Sequence, residues 1–183
     1  MYINHKDAEY LETNIVRISN FLTDEEVSIF MEECLSISED RWMYNGDDIH
    51  EKTLDSPKLY EYKESLINRI NSLLYNQHPA VGIKGYNRFL PGRHLQLHYD
   101  ETPFSYNVSH GIVIYLNDDF GGGETIYPDH KIQIKPLAKS LVIHSATRDY
   151  IHGVLEVKDS PRYTITAFLK KDPSKLLMGE YPD

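Results

Sequence analysis

Nine histidines and a single cysteine restrict any metal site in this 183-residue chain to imidazole and carboxylate donors. The densest arrangement is His94-Leu95-Gln96-Leu97-His98-Tyr99-Asp100. Read as a strand, it puts Leu95, Leu97 and Tyr99 on one face and His94, Gln96, His98 and Asp100 on the other. The ordinary reading turns the apolar face inward and leaves the polar face in water. Turned into a barrel lumen instead, His98 and Asp100, about 6.5 Å apart along the strand, could grip one ion. His152, in Ile151-His152-Gly153-Val154, is a third donor candidate. Two histidines and one carboxylate compose a facial triad, which on Fe(II) leaves open positions for substrate or dioxygen. Structural zinc would want four closed ligands, usually thiolates. His94 and His98 are four apart but lack the glutamate of a His-Glu-X-X-His site.

The elements that must hold these residues change character near residue 79. Before it, Thr23-Asp24-Glu25-Glu26 reads as a capping box leading a helix with Val27, Phe30, Met31, Cys34 and Leu35 at helical spacing. Ser56-Pro57 opens a second helix, with Leu59, Leu66, Ile67, Ile70, Leu73 and Leu74 on one stripe. Arg41 to Lys52, polar and containing Gly46, reads as a loop. After residue 79 the period becomes two, with strands expected near 81–90, 94–100, 109–116, 131–135, 139–144, 151–157 and 162–169. Pro91-Gly92, Asp118 to Gly123, Pro128-Asp129 and Asp159-Ser160-Pro161 punctuate them. Seven short strands behind two helices imply an all-β sandwich or small barrel buttressed by helices on one side, mainly β with supporting helices.

Composition narrows the partners. Nineteen basic against twenty-eight acidic residues, a net charge of −9, argues against a nucleic-acid backbone. No apolar run approaches the ~20 residues that cross a bilayer. Met1 to Tyr10 lacks the apolar centre of a signal peptide, and one cysteine suits a reducing compartment. The expectation is a single cytoplasmic domain: helical support over 1–78, a β core over 79–170 and a tail over 171–183. Oligomeric state is not legible. Several motifs have plain structural readings. Gly121-Gly122-Gly123 has no following Lys-Ser/Thr and reads as a wide hairpin turn; Asp118-Asp119 reads as turn chemistry. Taken alone, Arg162 after Pro161 is a solvated strand start, Tyr115 a core tyrosine and His144 a structural histidine on the parity of Val142.

Taken together, Tyr115-Leu116-Asn117-Asp118-Asp119-Phe120, Gly122-Gly123-Glu124-Thr125, Ser140-Leu141-Val142-Ile143, His152-Gly153-Val154 and Arg162-Tyr163-Thr164-Ile165-Thr166-Ala167-Phe168 resemble the Fe(II)/2-oxoglutarate-dependent dioxygenases, in particular the prolyl 4-hydroxylase-like branch. The resemblance runs from about Tyr86 to Leu169, and Ile15 to Leu35 resembles the family's supporting N-terminal segment. It implies a double-stranded β-helix, or jelly roll, with His98, Asp100 and His152 as iron ligands. Arg162 would hold the distal carboxylate of 2-oxoglutarate, with Thr164 and Tyr115 adding hydrogen bonds. A simple hairpin of 151–157 with 162–169 would put Arg162 roughly 16 Å from the metal strand's end, too far for a five-carbon diacid, so the chain must cross between sheets.

The resemblance further implies Fe(II), 2-oxoglutarate and O2, with ascorbate as a possible reductant, and C–H hydroxylation with succinate and CO2 as co-products. The expected target is a prolyl residue of a peptide or protein; a free amino acid or other small metabolite is the alternative within the enzyme class. A non-catalytic jelly-roll binding module and a zinc hydrolase are the rivals outside it. Three positions depart from the pattern: Phe89 and Leu95 stand where tyrosines are common, and Val108 where peptide-hydroxylating relatives carry an arginine. Phe168 keeps an aromatic six positions past Arg162. Trp42, Tyr44, Asp47 and Asp48 in one loop, and Phe104 and Tyr106 in Glu101 to Asn107, are candidates to cover the substrate.

Overall fold

The computed structural model describes residues 1–45, 49–74, 81–103, 105–172 and 174. The expected capping box forms: Thr23 Oγ1 accepts from the Glu26 amide at 3.1 Å and Glu26 accepts from the Thr23 amide at 2.8 Å, starting α1 (Asp24–Ser36). Phe30 and Cys34 are buried one turn apart, whereas Leu35 is exposed because a single residue step rotates it about 100° off that seam. A 3-10 turn (Pro57–Leu59) leads into α2 (Tyr60–Leu73), which buries Leu66, Ile70 and Leu73. Arg69 of α2 bonds Glu26 at 2.5 Å and the Phe21 carbonyl at 3.0 Å, so the cap of one helix is also the anchor of the other.

Fourteen strands lie among the described residues: β1 (Ala8–Glu12), β2 (Ile15–Ile18), β3 (Met43–Asn45), β4 (Ile49–Lys52), β5 (Val81–Phe89), β6 (Leu95–His98), β7 (Val108–Tyr115), β8 (Gly121–Gly122), β9 (Thr125–Tyr127), β10 (Ile132–Ile134), β11 (Leu141–Ser145), β12 (His152–Val154), β13 (Val157–Lys158) and β14 (Arg162–Lys170). They form an antiparallel sheet in the order β1-β2-β11-β7-β14-β5-β4-β3, a second in the order β10-β9-β12-β6, and the pair β13-β8. One face of the large sheet packs on the helices: Val16, Ile18, Ile112, Ile114, Leu141, Ile143, Ile165, Ala167 and Leu169 join Phe30, Leu66 and Ile70. Its other face meets the small sheet, where Ile15, Tyr115 and Val142 pack with Tyr127 and Ile134. This is the expected jelly roll with helices on one side.

Several expectations need correction. The first 78 residues are more than helical support, since β1 to β4 all join the large sheet. The segment read as a loop holds the β3–β4 hairpin; strands of three and four residues at a sheet edge are too short to print a period. Gly46, Asp47, Asp48 and Phe104 lie outside the described residues, as do 173 and 175–183 of the tail. Trp42 is not a substrate cover. It is buried against Tyr163 with the Arg88 guanidinium 4.5 Å from its ring, and Arg88 also binds Glu39 at 2.6 and 2.7 Å. Tyr44 is exposed on β3 and stands edge-on to His50; Tyr106 is exposed too. The glycine run is no hairpin turn, because Gly121–Gly122 pairs with Val157–Lys158 across the structure.

A bulge at Gly85 decides which way β5 faces. Gly85 has φ +138°, and the register with β14 slips between Thr166 and Ala167. Val81, Ile83 and Tyr86 therefore all reach the helix side, while Asn87 and Phe89 turn to the lumen. A Cβ here would collide with the Lys52 carbonyl oxygen. Gly85→Ala should therefore lower stability by about 2–3 kcal/mol, measured as a reduced denaturant midpoint.

Candidate active site

Antiparallel pairing of β12 with β6 sets His152 opposite His98, and Asp100 follows two residues beyond β6. Asp100 Oδ1 lies 3.6 Å from His98 Nε2 and 3.9 Å from His152 Nε2, and the three donor atoms fall within 4.8 Å of one another. Each ring is fixed through its other nitrogen: His98 Nδ1 donates to the Gln96 carbonyl at 2.9 Å and His152 Nδ1 to the Tyr150 carbonyl at 3.0 Å. Backbone bonds of this kind orient metal-binding imidazoles and leave Nε2 lone pairs facing inward. His98 and Asp100 thus turn into the lumen, whereas His94 and Gln96 of the same face are exposed. The strand's alternate face is not uniformly inward as the pattern suggested, since Leu97 is 54% exposed. His94 lies outside the convergent group.

The protonation states suit a cation. Burial alone would raise the Asp100 carboxyl, but the bond with His98 and the nearby His144 and His152 rings outweigh it and hold it down to about 2. Burial, with His144 alongside, pushes His152 down to about 3. Burial also opposes charge on His98, yet Asp100 and the Gln96 carbonyl raise it above the ordinary imidazole value. A carboxylate and two Nε2 atoms on a half-open set match a hard-to-borderline divalent ion such as Fe(II).

Arg162 lies apart from that cluster. Arg162 starts β14 in the large sheet while His152 lies in the small one, so the chain does cross between sheets as the spacing required. Arg162 is 2% exposed, with its guanidinium 4.9 Å from the Phe89 ring and 5.1 Å from the Tyr115 ring. Burial pulls its pKa down, but a guanidinium stays charged. Among the described residues no carboxylate pairs with it. Arg162 Nε, Thr164 Oγ1 and Tyr127 Oη are buried without a hydrogen-bond partner. Buried polar groups are seldom left so, and an unpaired buried cation is costlier still. An anionic oxygen ligand is what a buried, unpaired guanidinium would accept, and 2-oxoglutarate carries such a group. Tyr115, wholly buried as expected, shares its hydroxyl with Thr125 at 2.9 Å; Thr166 instead accepts from Asn87 at 2.9 Å.

Sequence reasoning missed Tyr127 and Thr125. They lie on β9, inside a stretch that turn residues on either side made look like punctuation, although Thr-Ile-Tyr does alternate. His144, on the parity of Val142, does reach the lumen, with its Nε2 3.8 Å from Asp100 Oδ2.

Residues 84–170, from within β5 to the end of β14, match the family model described as the 2OG-Fe(II) oxygenase superfamily. That matched segment contains every site residue described above. Among solved structures, a prolyl-4-hydroxylase from Pseudomonas putida superposes with a TM-score of 0.69 at 16% identity, covering 87% of this chain and 93% of that one. A Trichoplax adhaerens prolyl hydroxylase, in complex with a hypoxia inducible factor oxygen degradation domain peptide fragment, gives 0.63 at 22% identity over 87% and 85%. A viral collagen prolyl hydroxylase from Paramecium Bursaria Chlorella virus-1, in a 2OG complex, gives 0.59 at 18% over 86% and 96%. At these identities the likeness is one of fold. No curated protein sequence matches the chain significantly.

Metal binding should lose affinity on acidification in a single-proton step. His152 and Asp100 already stand in their ligating forms at neutral pH, whereas His98, raised above about 6.5, must shed its proton. Titration calorimetry with Mn(II) between pH 5.5 and 8 should show log Kd falling one unit per pH unit below the His98 pKa and levelling above it. A two-unit slope would contradict these states.

Proposed function

We propose that the chain is an Fe(II)- and 2-oxoglutarate-dependent hydroxylase acting on a prolyl residue of a peptide or protein, with succinate and CO2 as co-products. The observation that carries the co-substrate reading is the buried Arg162, which has an unpartnered Nε, the unpartnered Thr164 hydroxyl two residues along the same strand face, and among the described residues no carboxylate pairing with it. His98, Asp100 and His152 would hold the metal. Bound there, Fe(II) would supply the activation of dioxygen and the oxidative decarboxylation of the keto acid.

The protein's own part is binding and arrangement. The guanidinium pairs bidentately with the distal carboxylate, which fixes both the position and the rotation of the diacid. The Thr164 and Tyr127 hydroxyls supply further bonds, and the Phe89 and Tyr115 rings flanking Arg162 exclude water and strengthen the pairing. Fixing that end leaves the keto acid one way to reach the metal side chains, so orientation is settled before reaction.

The peptide target is supported by the names of the similar structures. Val108 offers no charge to a peptide backbone, which gives a second reading, a free amino acid or other small metabolite. A cytoplasmic setting and ascorbate as reductant belong to this proposal as well.

Asp100→Ala should abolish 2-oxoglutarate-dependent succinate formation. Arg162→Ala should raise the KM for 2-oxoglutarate by about two orders of magnitude, with metal affinity unchanged, because a buried charge-assisted pair is worth roughly 2–3 kcal/mol. Equal effects on both constants would remove Arg162 from this role. A screen of proline-containing peptides and free amino acids, read by a mass gain of one oxygen, separates the two substrate readings.

A further inference from the structure

The carbonyl that fixes His152 belongs to Tyr150, the last residue of a 3-10 turn (Arg148–Tyr150). So short a turn has little of its own to hold it in place. Here it is gripped from two sides. On one, His130 ends a second 3-10 turn (Pro128–His130) that follows β9. Its ring lies flat on the Tyr150 ring, with centroids 4.6 Å apart and planes 12° apart, and its Nε2 donates to the Asp149 carbonyl at 2.8 Å. On the other, the Tyr150 hydroxyl donates to Glu12 Oε2 at 3.0 Å and accepts from Asn14 Nδ2 at 3.0 Å. Glu12 ends β1 and also accepts from the Asn14 amide at 3.1 Å, which braces its carboxylate. Glu12 and Asn14 precede the segment matched by the family model.

We infer that His130 and Tyr150 are positioning residues for His152: with Glu12 and Asn14 they clamp the turn whose carbonyl decides which ring nitrogen of His152 carries the hydrogen. This rests on the metal-site reading given above. In a neutral imidazole one nitrogen is protonated, and the acceptor each nitrogen meets decides which. With the Tyr150 carbonyl 3.0 Å from Nδ1, the hydrogen stays there and Nε2 keeps its lone pair. The competing acceptor is Asp100 Oδ1, 3.9 Å from Nε2. That gap is too long for a bond as the ring stands, but a loosened ring would swing an Nε2–H toward the buried carboxylate. A lone pair capped in this way is a donor lost to any cation. The clamp prevents the exchange by acting on the turn rather than on the ring. It also gives the β1–β2 hairpin, at the far edge of the large sheet, a part in the site.

The test reads the ring directly, in the whole metal-free chain carrying isotope-labelled histidine. Long-range proton–nitrogen correlation spectra separate the two tautomers, and the His152 signal is assigned by its absence from His152→Gln. The parent protein should show a single Nδ1–H form. Tyr150→Phe keeps the ring but loses both hydroxyl bonds; His130→Ala loses the stack and the bond to Asp149. Each should bring in the Nε2–H form and speed exchange of the ring hydrogen roughly fivefold or more, the equivalent of one hydrogen bond. His130→Gln, whose amide can reach the same carbonyl, should stay nearer the parent than the alanine variant. Ser160→Ala, which removes a hydroxyl bond to the Asp119 carbonyl in another loop, should leave the His152 signal unchanged. Calorimetry with Mn(II) should give a Kd raised about tenfold in Tyr150→Phe, the size typical of losing a group that orients a ligand. Thermal unfolding checks that the variants fold; if Tyr150→Phe does not, the half-buried His130 carries the test. A His152 signal unchanged in both Tyr150→Phe and His130→Ala overturns the inference, as does an equal change in Ser160→Ala. A parent protein that binds no Mn(II) overturns the metal-site reading alone, because the tautomer is read without metal.

Discussion

A jelly roll closes only if the residues on its two inner faces suit one another, and in this chain the junction between the faces is a buried carboxylate. Asp100 leaves β6 of the small sheet and reaches toward the large one, where Gly111 offers no side chain to obstruct it. An ionised carboxylate in so dry a place has to be compensated, and three imidazoles within 4 Å of it supply the means. His98, raised above its ordinary value by Asp100, supplies part of that compensation, and the three donor atoms together form a group that could hold a divalent cation.

The opposite end of the lumen carries the other sign. Arg162 is a buried cation between two aromatic rings, with its Nε and the Thr164 hydroxyl lacking partners. One end thus offers donors suited to a cation and the other a cation suited to an anion, and the co-substrate proposal rests on that pairing of opposite demands.

Much of this was legible in the residue order. The alternation around His98 and Asp100, the distance to His152 and the ten-residue step to Arg162 together demanded a lumen and a crossing between sheets, and both exist. The capping box at Thr23 was readable because its bonds are local. What escaped notice has a common cause in short or edge elements. β3, β4, β8 and β9 span two to four residues each, too few to show a period, and Gly121–Gly122 has no side chains to alternate. Tyr127 went unseen for that reason, although it stands beside both His144 and His152. Trp42 misled in another way: an aromatic residue between polar neighbours looked like a surface feature, whereas Arg88 from a distant strand covers it.

The bulge at Gly85 gives the large sheet two independent sides along its most important strands. On β14, Tyr163, Ile165, Ala167 and Leu169 belong to the helix-backed core, while Arg162, Thr164, Thr166 and Phe168 belong to the lumen; on β5, Tyr86 and Arg88 are separated in the same way from Asn87 and Phe89. Adjacent codons thus serve unrelated purposes. The even positions of β14 decide what the cavity can hold, while the odd ones decide how the sheet sits on its helices, and a substitution on one side leaves the other side's partners in place.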